Sequence, residues 1–401
     1  MEVFVYDAVR SPRGRGRADG SMAEVRPPIL VSQLIDGLRQ RNAGALVDKI
    51  DSFTLSCVTQ IGAQGGHIAV ASKLLSDLPS NVAPLSINNF CVGGLSAIAA
   101  GARRILSGEN ELVISGGVES MSQVGFLTDE ANFYTDMTLA DRMGWAPVGV
   151  GADLLANVEG ISAADMDFFT LRSNQLAAKA WAEKRFDNRV LAIKNDDGSI
   201  ALDHDENIRD HGDGSKLSSL EPVFQSMGEA GFDDIILSKM PDLSSLEHRH
   251  SIAHCPPIAD GAGLALLGTQ GAGESLGIKP IAKIIAFAET ADSPLLQLTA
   301  GFRAMDAVLK KANMQLSDMD AIEFMEAFAV TPVKFMRDYE PDLDRVNVNG
   351  GHLAMGHPMG ATGAILFGAL LDSLDHLDGE IGLVVTTGGV GVGAAAIVQR
   401  L

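Results

Sequence analysis

The chain has 401 residues, too many for one ordinary hydrophobic core, and points to two or three domains. An apolar fraction of 46%, 20% charged residues and 43 glycines fit a globular α/β protein and exclude a disordered or collagen-like chain. The formal charge of −20 argues against nucleic acid as a partner, since phosphate backbones require a surplus of Lys and Arg, although a local basic patch can still hold an anionic ligand.

The opening residues, Met1 to Arg17, read as a strand (Glu2 to Asp7) followed by an Arg/Gly loop, without the apolar core of a signal peptide. No apolar run reaches membrane-spanning length. The three cysteines, Cys57, Cys91 and Cys255, are widely spaced and read as reduced thiols rather than a disulfide framework. A soluble cytoplasmic protein is expected.

Further along, short apolar runs alternate with longer helical patterns, which predicts parallel sheets covered by helices. Phe53–Cys57 and Leu112–Ser115 read as buried strands, with helical stretches at about 64–76 and 92–107. The stretch 123–251 differs: it carries acidic loops and both tryptophans, Trp145 and Trp181. Its clearest element is a helix over Ala163–Lys184, with Ser162 placed as N-cap. We expect it to fold over the site as a lid or substrate-binding insertion. In the last part, Ile281–Ala288, Ala321–Met325, Arg345–Val348 and Gly382–Thr386 read as strands, with helices near 299–313, 328–339 and 361–374.

Two blocks look like distant copies. Asn88-Asn89-Phe90-Cys91-Val92-Gly93-Gly94 opens an apolar helix, followed by a strand ending Ser115-Gly116-Gly117; Asn347-Val348-Asn349-Gly350-Gly351 leads through His357 to a second apolar helix and a strand ending Thr387-Gly388-Gly389. Two equivalent halves facing each other would bring both Gly-rich turns to one place.

A lone cysteine is more often a small buried hydrophobe than a nucleophile. Cys91, however, stands at a helix start, where free N–H groups and the positive dipole end favour thiolate. Glycines at 93 and 94 allow a ligand to approach. Both readings remain open on these grounds. His357 sits among glycines and Pro358 at another helix start, suited to act as base to a thiol. A nucleotide-binding loop is the competing reading of that block, but no GxGxxG follows a strand there. His248, His250, His254 and Cys255 have a spacing that could ligate zinc; histidines of a loop are the preferred reading.

Asn88-x-x-Cys91-x-Gly93-Gly94-Leu95, Gly116-Gly117-Val118-Glu119-Ser120-Met121-Ser122 and the Asn347–Gly363 block resemble the three signatures of the thiolase superfamily, in family order and spacing. Val5–Pro12 and Asp260-Gly261-Ala262 resemble it as well. The resemblance spans nearly the whole chain and is nearest to acetyl-CoA acetyltransferases and 3-ketoacyl-CoA thiolases. It implies a five-layered αβαβα α/β fold of two similar halves: residues 1–122 plus 252–274, and 275–401, with 123–251 as the inserted loop domain. It implies dimers or tetramers, and a CoA thioester as substrate with no permanently bound cofactor. His357 would activate Cys91, whose thiolate attacks a 3-ketoacyl-CoA; the acyl group then passes from Cys91 to free CoA, or the reverse Claisen condensation runs. The N–H groups of Cys91 and Gly389 would form an oxyanion hole.

Departures from the family concentrate at the site. Thr387 stands where a second cysteine usually moves the α-proton, and a hydroxyl is a far weaker acid than a thiol. Met325 replaces the Asn of an N-E-A-F-A segment and cannot donate a hydrogen bond. Ala253-His254-Cys255-Pro256 replaces G-N-x-S, Ala300–Ala304 replaces G-P-x-P-A, and His352 stands where a small residue is usual. His352, His254, Pro256, Ser173 and Phe328 are the expected substrate-binding residues, and His352 or a water is a candidate to take over from the missing cysteine. Three functions follow: a thiolase with altered proton handling, an acyltransferase that does no C–C bond chemistry, or an impaired subunit of a hetero-complex.

Overall fold

The computed structural model describes residues 2–42 and 49–401. Nine strands form the main sheet: β1 (Val3–Arg10), β2 (Ser52–Ser56), β3 (Ala83–Ile87), β4 (Leu112–Ser120), β5 (Ala259–Gly268), β6 (Ala282–Ala291), β7 (Ala321–Phe324), β8 (Ile381–Gly388) and β9 (Val392–Arg400). Their order is β3-β2-β4-β5-β1-β6-β9-β8-β7, with the short Gly14–Arg15 strand added on β5. The main helices are α1 (Pro27–Arg41), α2 (Ile68–Leu75), α3 (Gly93–Leu106), α4 (Val148–Glu159), α5 (Ala163–Ala182), α6 (Ala300–Ala312), α7 (Val330–Tyr339) and α8 (Thr362–Leu377).

The strand order carries an internal duplication. In the first half β3-β2-β4 are parallel and β5 and β1 follow antiparallel; in the second, β7-β8 are parallel and β9 and β6 follow antiparallel. The halves meet where β1 pairs with β6, Phe4 opposite Lys283. The sheet is therefore mixed, not parallel as predicted. The tight turn Gly389–Gly391 between β8 and β9 permits only an antiparallel return.

Alternation along the strands sorts the core into layers. On β5, Leu264 and Leu266 pack with α1 and α2, while Ala265 and Leu267 pack with α3 and α8. On β8, Leu383 and Val385 join the core under α6 and α7, and Val384 faces the central one. Helix pair, sheet half, helix pair, sheet half, helix pair: five layers, with α3 and α8 in the middle.

That middle layer is close because of its glycines. A Cβ on Gly94 would stand 2.6 Å from the Ala364 backbone nitrogen, and one on Gly363 would stand 2.3 Å from that of Leu95. Nothing larger than hydrogen fits at this crossing.

The predicted strand Arg345–Val348 is not one. Leu343–Arg345 is a 3₁₀ turn, and only Val346 bridges Ile322. Asn347, at φ +46°, replaces the missing ladder with its side chain: Phe324 N–H donates to its Oδ1 and its Nδ2 donates to the Phe324 carbonyl, both at 2.8 Å. A side-chain amide here does the pairing of a backbone.

Helix α5 starts as predicted on Ser162, in a capping box with Asp165. It is not detached: its Met166 and Phe169 belong to the central core. Trp145, Val150, Leu154, Phe232 and Ile236 build a separate small core, which Leu295 joins. No helix among the described residues is long and apolar enough to cross a membrane.

Candidate active site

Cys91 lies in the 3₁₀ turn Phe90–Val92 that feeds α3. Asn88 shapes the approach, accepting from Phe90 N–H at 3.0 Å and donating to the Val58 carbonyl at 3.0 Å. Phe90 is held at φ +46°, an uncommon conformation for a bulky residue. Against Cys91 rests the end of β8, close enough that a Cβ on Gly388 would stand 3.3 Å from the Cys91 nitrogen. The backbone N–H groups of Gly389 and of Cys91 itself lie near enough to the sulfur to favour its charged form.

The thiol is nevertheless not a thiolate at rest. Burial pushes it up to about 11, helped by the buried Glu119, and the two N–H donors offset only part of this. Burial thus works against the helix start, which the sequence reading expects to favour thiolate.

His357 enters from the opposite half, its N–H bonded to the Pro257 carbonyl at 2.8 Å. Its Nδ1 lies 2.7 Å from Thr362 Oγ1, whose own proton goes to the Pro358 carbonyl. That pairing puts the imidazole proton on Nδ1 and leaves Nε2 as a bare acceptor. Burial, reinforced by the Arg13 charge, holds His357 down at about 3, so the ring is neutral and able to accept a proton.

Glu119, from the signature on β4, ties the two halves of the site together. Its carboxylate accepts from the N–H groups of Val58, Thr59 and Gly360 and from Gln64 Nε2. It thus fixes the turn after His357 against the loop after β2.

The two family departures touch each other. Met325, buried in the central core, receives the Thr387 N–H on its sulfur at 3.5 Å, and Thr387 Oγ1 accepts from Gly301 N–H at 3.4 Å. Thr387 reaches the cavity; Met325 does not.

One cavity, with about 540 Å³ of empty space, is lined by Cys91, His357, Thr387 and Gly389, and also by Pro256 and Phe328. Three expected substrate-binding residues, Ser173, His254 and His352, do not line this cavity. Ser173 donates to Glu326 at 2.7 Å and accepts from Gly351 N–H, joining α5 to the turn before α8. His254 bonds Asp167 at 2.8 Å and accepts from Ser251 N–H. His352 is buried with both ring nitrogens unpartnered, its ring 5.5 Å from that of His357. From behind His357 it cannot replace the missing cysteine at the substrate.

The possible zinc ligands are committed elsewhere. His248 and His250 both bond Asp153, at 2.8 and 2.7 Å, and Cys255 Sγ donates to the Ser251 carbonyl. Among the described residues no group of three or more His, Cys, Asp or Glu is arranged to hold a metal ion.

A second cavity, with about 580 Å³ of empty space, adjoins the first and shares Cys91, Phe126, Val148, Met359 and Gly389 with it. Its aromatic lining was not read from the sequence, although Phe126, Phe133, Tyr134 and Trp145 crowd one stretch of a chain with only 5% aromatics. Gln297 was also missed, and no motif signals it. It is buried at φ +51°, accepts from Val390 N–H at 3.1 Å and donates to the Ala146 carbonyl, so it braces the Gly389–Gly391 turn.

Two family profiles match this chain: "Thiolase, N-terminal domain" over residues 3–231 and "Thiolase, C-terminal domain" over residues 278–400. The chain belongs to the thiolase family. A 3-ketoacyl-CoA thiolase of Photorhabdus laumondii is 32% identical over 405 residues, covering 100% of this chain and 99% of the relative. A β-ketoadipyl-CoA thiolase of Pseudomonas knackmussii is 32% identical over 420 residues, with 100% and 99% coverage. The acetyl-CoA acetyltransferase of Bacillus anthracis has a similar structure, with TM-score 0.85 and 25% identity, covering 100% of this chain and 99% of that one. This chain is a thiolase-like acyltransferase acting on CoA thioesters.

Proposed function

We propose that this thiolase transfers acyl groups by a ping-pong route through a thioester on Cys91. One observation carries the reading: a half-buried thiol, whose charged form the Gly389 and Cys91 N–H groups favour, shares a cavity with a neutral histidine. Nε2 of His357 takes the thiol proton as sulfur attacks the 3-keto carbon of a 3-ketoacyl-CoA, so no thiolate need exist beforehand. The two N–H groups are positioned to bind the oxygen that becomes negative. The C2–C3 bond breaks, the proton taken from Cys91 ends on the α-carbon of the released acetyl-CoA, and free CoA then takes the acyl group from Cys91; the reverse direction is the Claisen condensation.

A second reading, transfer without C–C chemistry, is favoured by the Met325–Thr387 contact. The position that normally supplies a thiol for the α-proton holds a hydroxyl engaged with Gly301 N–H, and the neighbouring Asn has become a thioether. Lost donation of that kind costs about 3 kcal/mol at the transition state. Assembly as dimers or tetramers belongs to the same proposal. Strand β3 ends the sheet, and Leu74 and Leu75 of the adjoining α2 are 71% and 53% exposed, a surface suited to a second copy. We likewise propose 123–251 as the substrate-covering insertion between the two halves.

The test is to mix the protein with acetyl-CoA or acetoacetyl-CoA, quench in acid and read intact mass beside Cys91→Ala. An adduct that depends on Cys91 is expected from both. An adduct from acetyl-CoA without release of acetyl-CoA from acetoacetyl-CoA selects the second reading. No adduct from either donor counts against both.

A further inference from the structure

His248 takes no part in the chemistry at Cys91, yet its side chain, 6% exposed, faces a carboxylate from each ring nitrogen. Nδ1 lies 2.8 Å from Asp153 Oδ2 on α4, and Nε2 lies 3.2 Å from Asp233 Oδ2 at the start of the helix Asp233–Lys239. Both nitrogens donate only when the ring is charged; a neutral imidazole turns a lone pair towards one of the two carboxylates. Asp153 has other support, accepting from the Arg249 and His250 N–H groups and bonding His250 Nδ1 at 2.7 Å. Asp233 has none: its Oδ1 is buried without a partner, and His248 is its only side-chain hydrogen bond among the described residues. Loss of the ring proton therefore falls on the Asp233 contact.

The remaining charged groups nearby are turned elsewhere. The Arg249 guanidinium reaches Glu247 and the Ala156 and Ile161 carbonyls, and Lys239, at the far end of the helix, pairs with Asp141. Burial works to lower His248, but the Asp153 and Asp233 carboxylates outweigh it and hold the ring above its ordinary value. With the folded value above the unfolded one, the stabilisation is fully present below about pH 6.5 and is lost as pH rises through the folded value.

The contact fastens one side of the small core beside the site. Ile235 and Ile236 of the helix, and Phe232 just before it, share that core with Val150 and Leu154 of α4. Phe232 stands edge-on to Trp145 at 5.5 Å, and Trp145 and Val148 line the second cavity beside Cys91. Gly231, at φ +116°, joins the helix to the chain before it in a backbone conformation open to glycine, which makes a joint at the Asp233 end.

We propose that His248 is a proton-dependent latch: charged, it fastens the helix Asp233–Lys239 to α4; neutral, it releases the Asp233 end and loosens the Trp145 wall of the cavity beside Cys91. The latch works whatever Cys91 carries, so it stands apart from the acyl-Cys91 reading.

Hydrogen exchange of the full-length protein tests it, read by mass on peptides covering residues 228–240 and 145–155. Labelling is done at pH 6 and pH 9, with times scaled to the intrinsic amide rate. Relative to that rate, both stretches should exchange at least about threefold faster at the higher pH, while peptides of α8 should not change. Asp233→Asn places an amide that can donate to the neutral ring, so exchange should stay slow at both pH values. His248→Gln presents an uncharged side chain to two carboxylates, so exchange should be fast at both. Equal protection at the two pH values in the wild type overturns the latch, and so does a pH-dependent loss that survives in either variant. If one variant does not fold, the other and the wild type still decide.

Discussion

At the scale of single residues, the reactive pair is a neutral thiol facing a neutral imidazole. The thiol is pushed up to about 11 and the imidazole down to about 3, both chiefly by burial. Between those values neither group changes charge in the resting protein, so the proton moves only as substrate arrives. Iodoacetamide reacts with thiolate, hence alkylation of Cys91 should accelerate about tenfold per pH unit from pH 6 to 9, with no plateau. Peptide mass mapping at several pH values measures this. A rate already level at pH 6 would mean a preformed thiolate–imidazolium pair, contrary to the geometry. The sequence singled out Cys91 and His357, which line one cavity, because each sits in a dense, ordered motif. It did not show that Ser173, His254 and His352 stand off the cavity, because a polar residue near a motif looks the same whether it lines a cavity or bonds behind its wall. Only the partners Glu326 and Asp167, and the unpartnered burial of His352, decide that.

At the scale of elements, the helices were legible and several strands were not. Helices α3, α5 and α8 announce themselves through long periodic stretches with caps or glycines at their starts. Strand β9, Val-Gly-Ala-Ala-Ala-Ile-Val-Gln-Arg, is poor in β-branched residues at its centre and reads weakly until β8 and β6 pair with it. The short 345–348 strand failed for the opposite reason: its composition is right, but the Asn347 side chain takes the ladder's place. Where α3 crosses α8 the physics is sharper. Gly94→Ala puts a methyl 2.6 Å from the Ala364 nitrogen and 3.0 Å from the Gly360 carbonyl oxygen, both backbone, so the helices must part. Since Cys91 precedes α3 and His357 precedes α8, parting them also misaligns the pair. Overpacking of this kind costs about 1–3 kcal/mol. Urea unfolding should show that loss, and the acylation rate should fall by more than tenfold under conditions where the variant is still fully folded. An unchanged rate would separate the crossing from the chemistry.

At the scale of the whole molecule, a buried polar seam runs behind the site. Arg10 forms a two-pronged pair with Asp205, whose Oδ1 also accepts from Arg13 N–H; Arg13 reaches the Gly356 carbonyl, and His352 and His357 lie beyond. Within this seam His352 is held neutral, well below its ordinary range, first by burial and then by the Arg13 charge. The folded value is depressed, so the unfolded chain takes up a proton that the fold refuses. Above about pH 6.5 the group has no effect on stability, and as pH falls below 6.5 it costs about 1.4 kcal/mol per pH unit. Glu323 acts oppositely: burial raises it to about 8, so it costs stability as pH rises from about 4.5 towards 8. The two slopes overlap, and the wild-type curve alone cannot assign either one. Comparison with His352→Ala does. Whatever the variant's absolute stability, it should lose about 2 kcal/mol less than the wild type between pH 7.5 and 5.0, read from urea midpoints and slopes at each pH. Parallel losses in both proteins would mean that His352 is protonated within the fold, and the seam would then have to supply a partner for that charge.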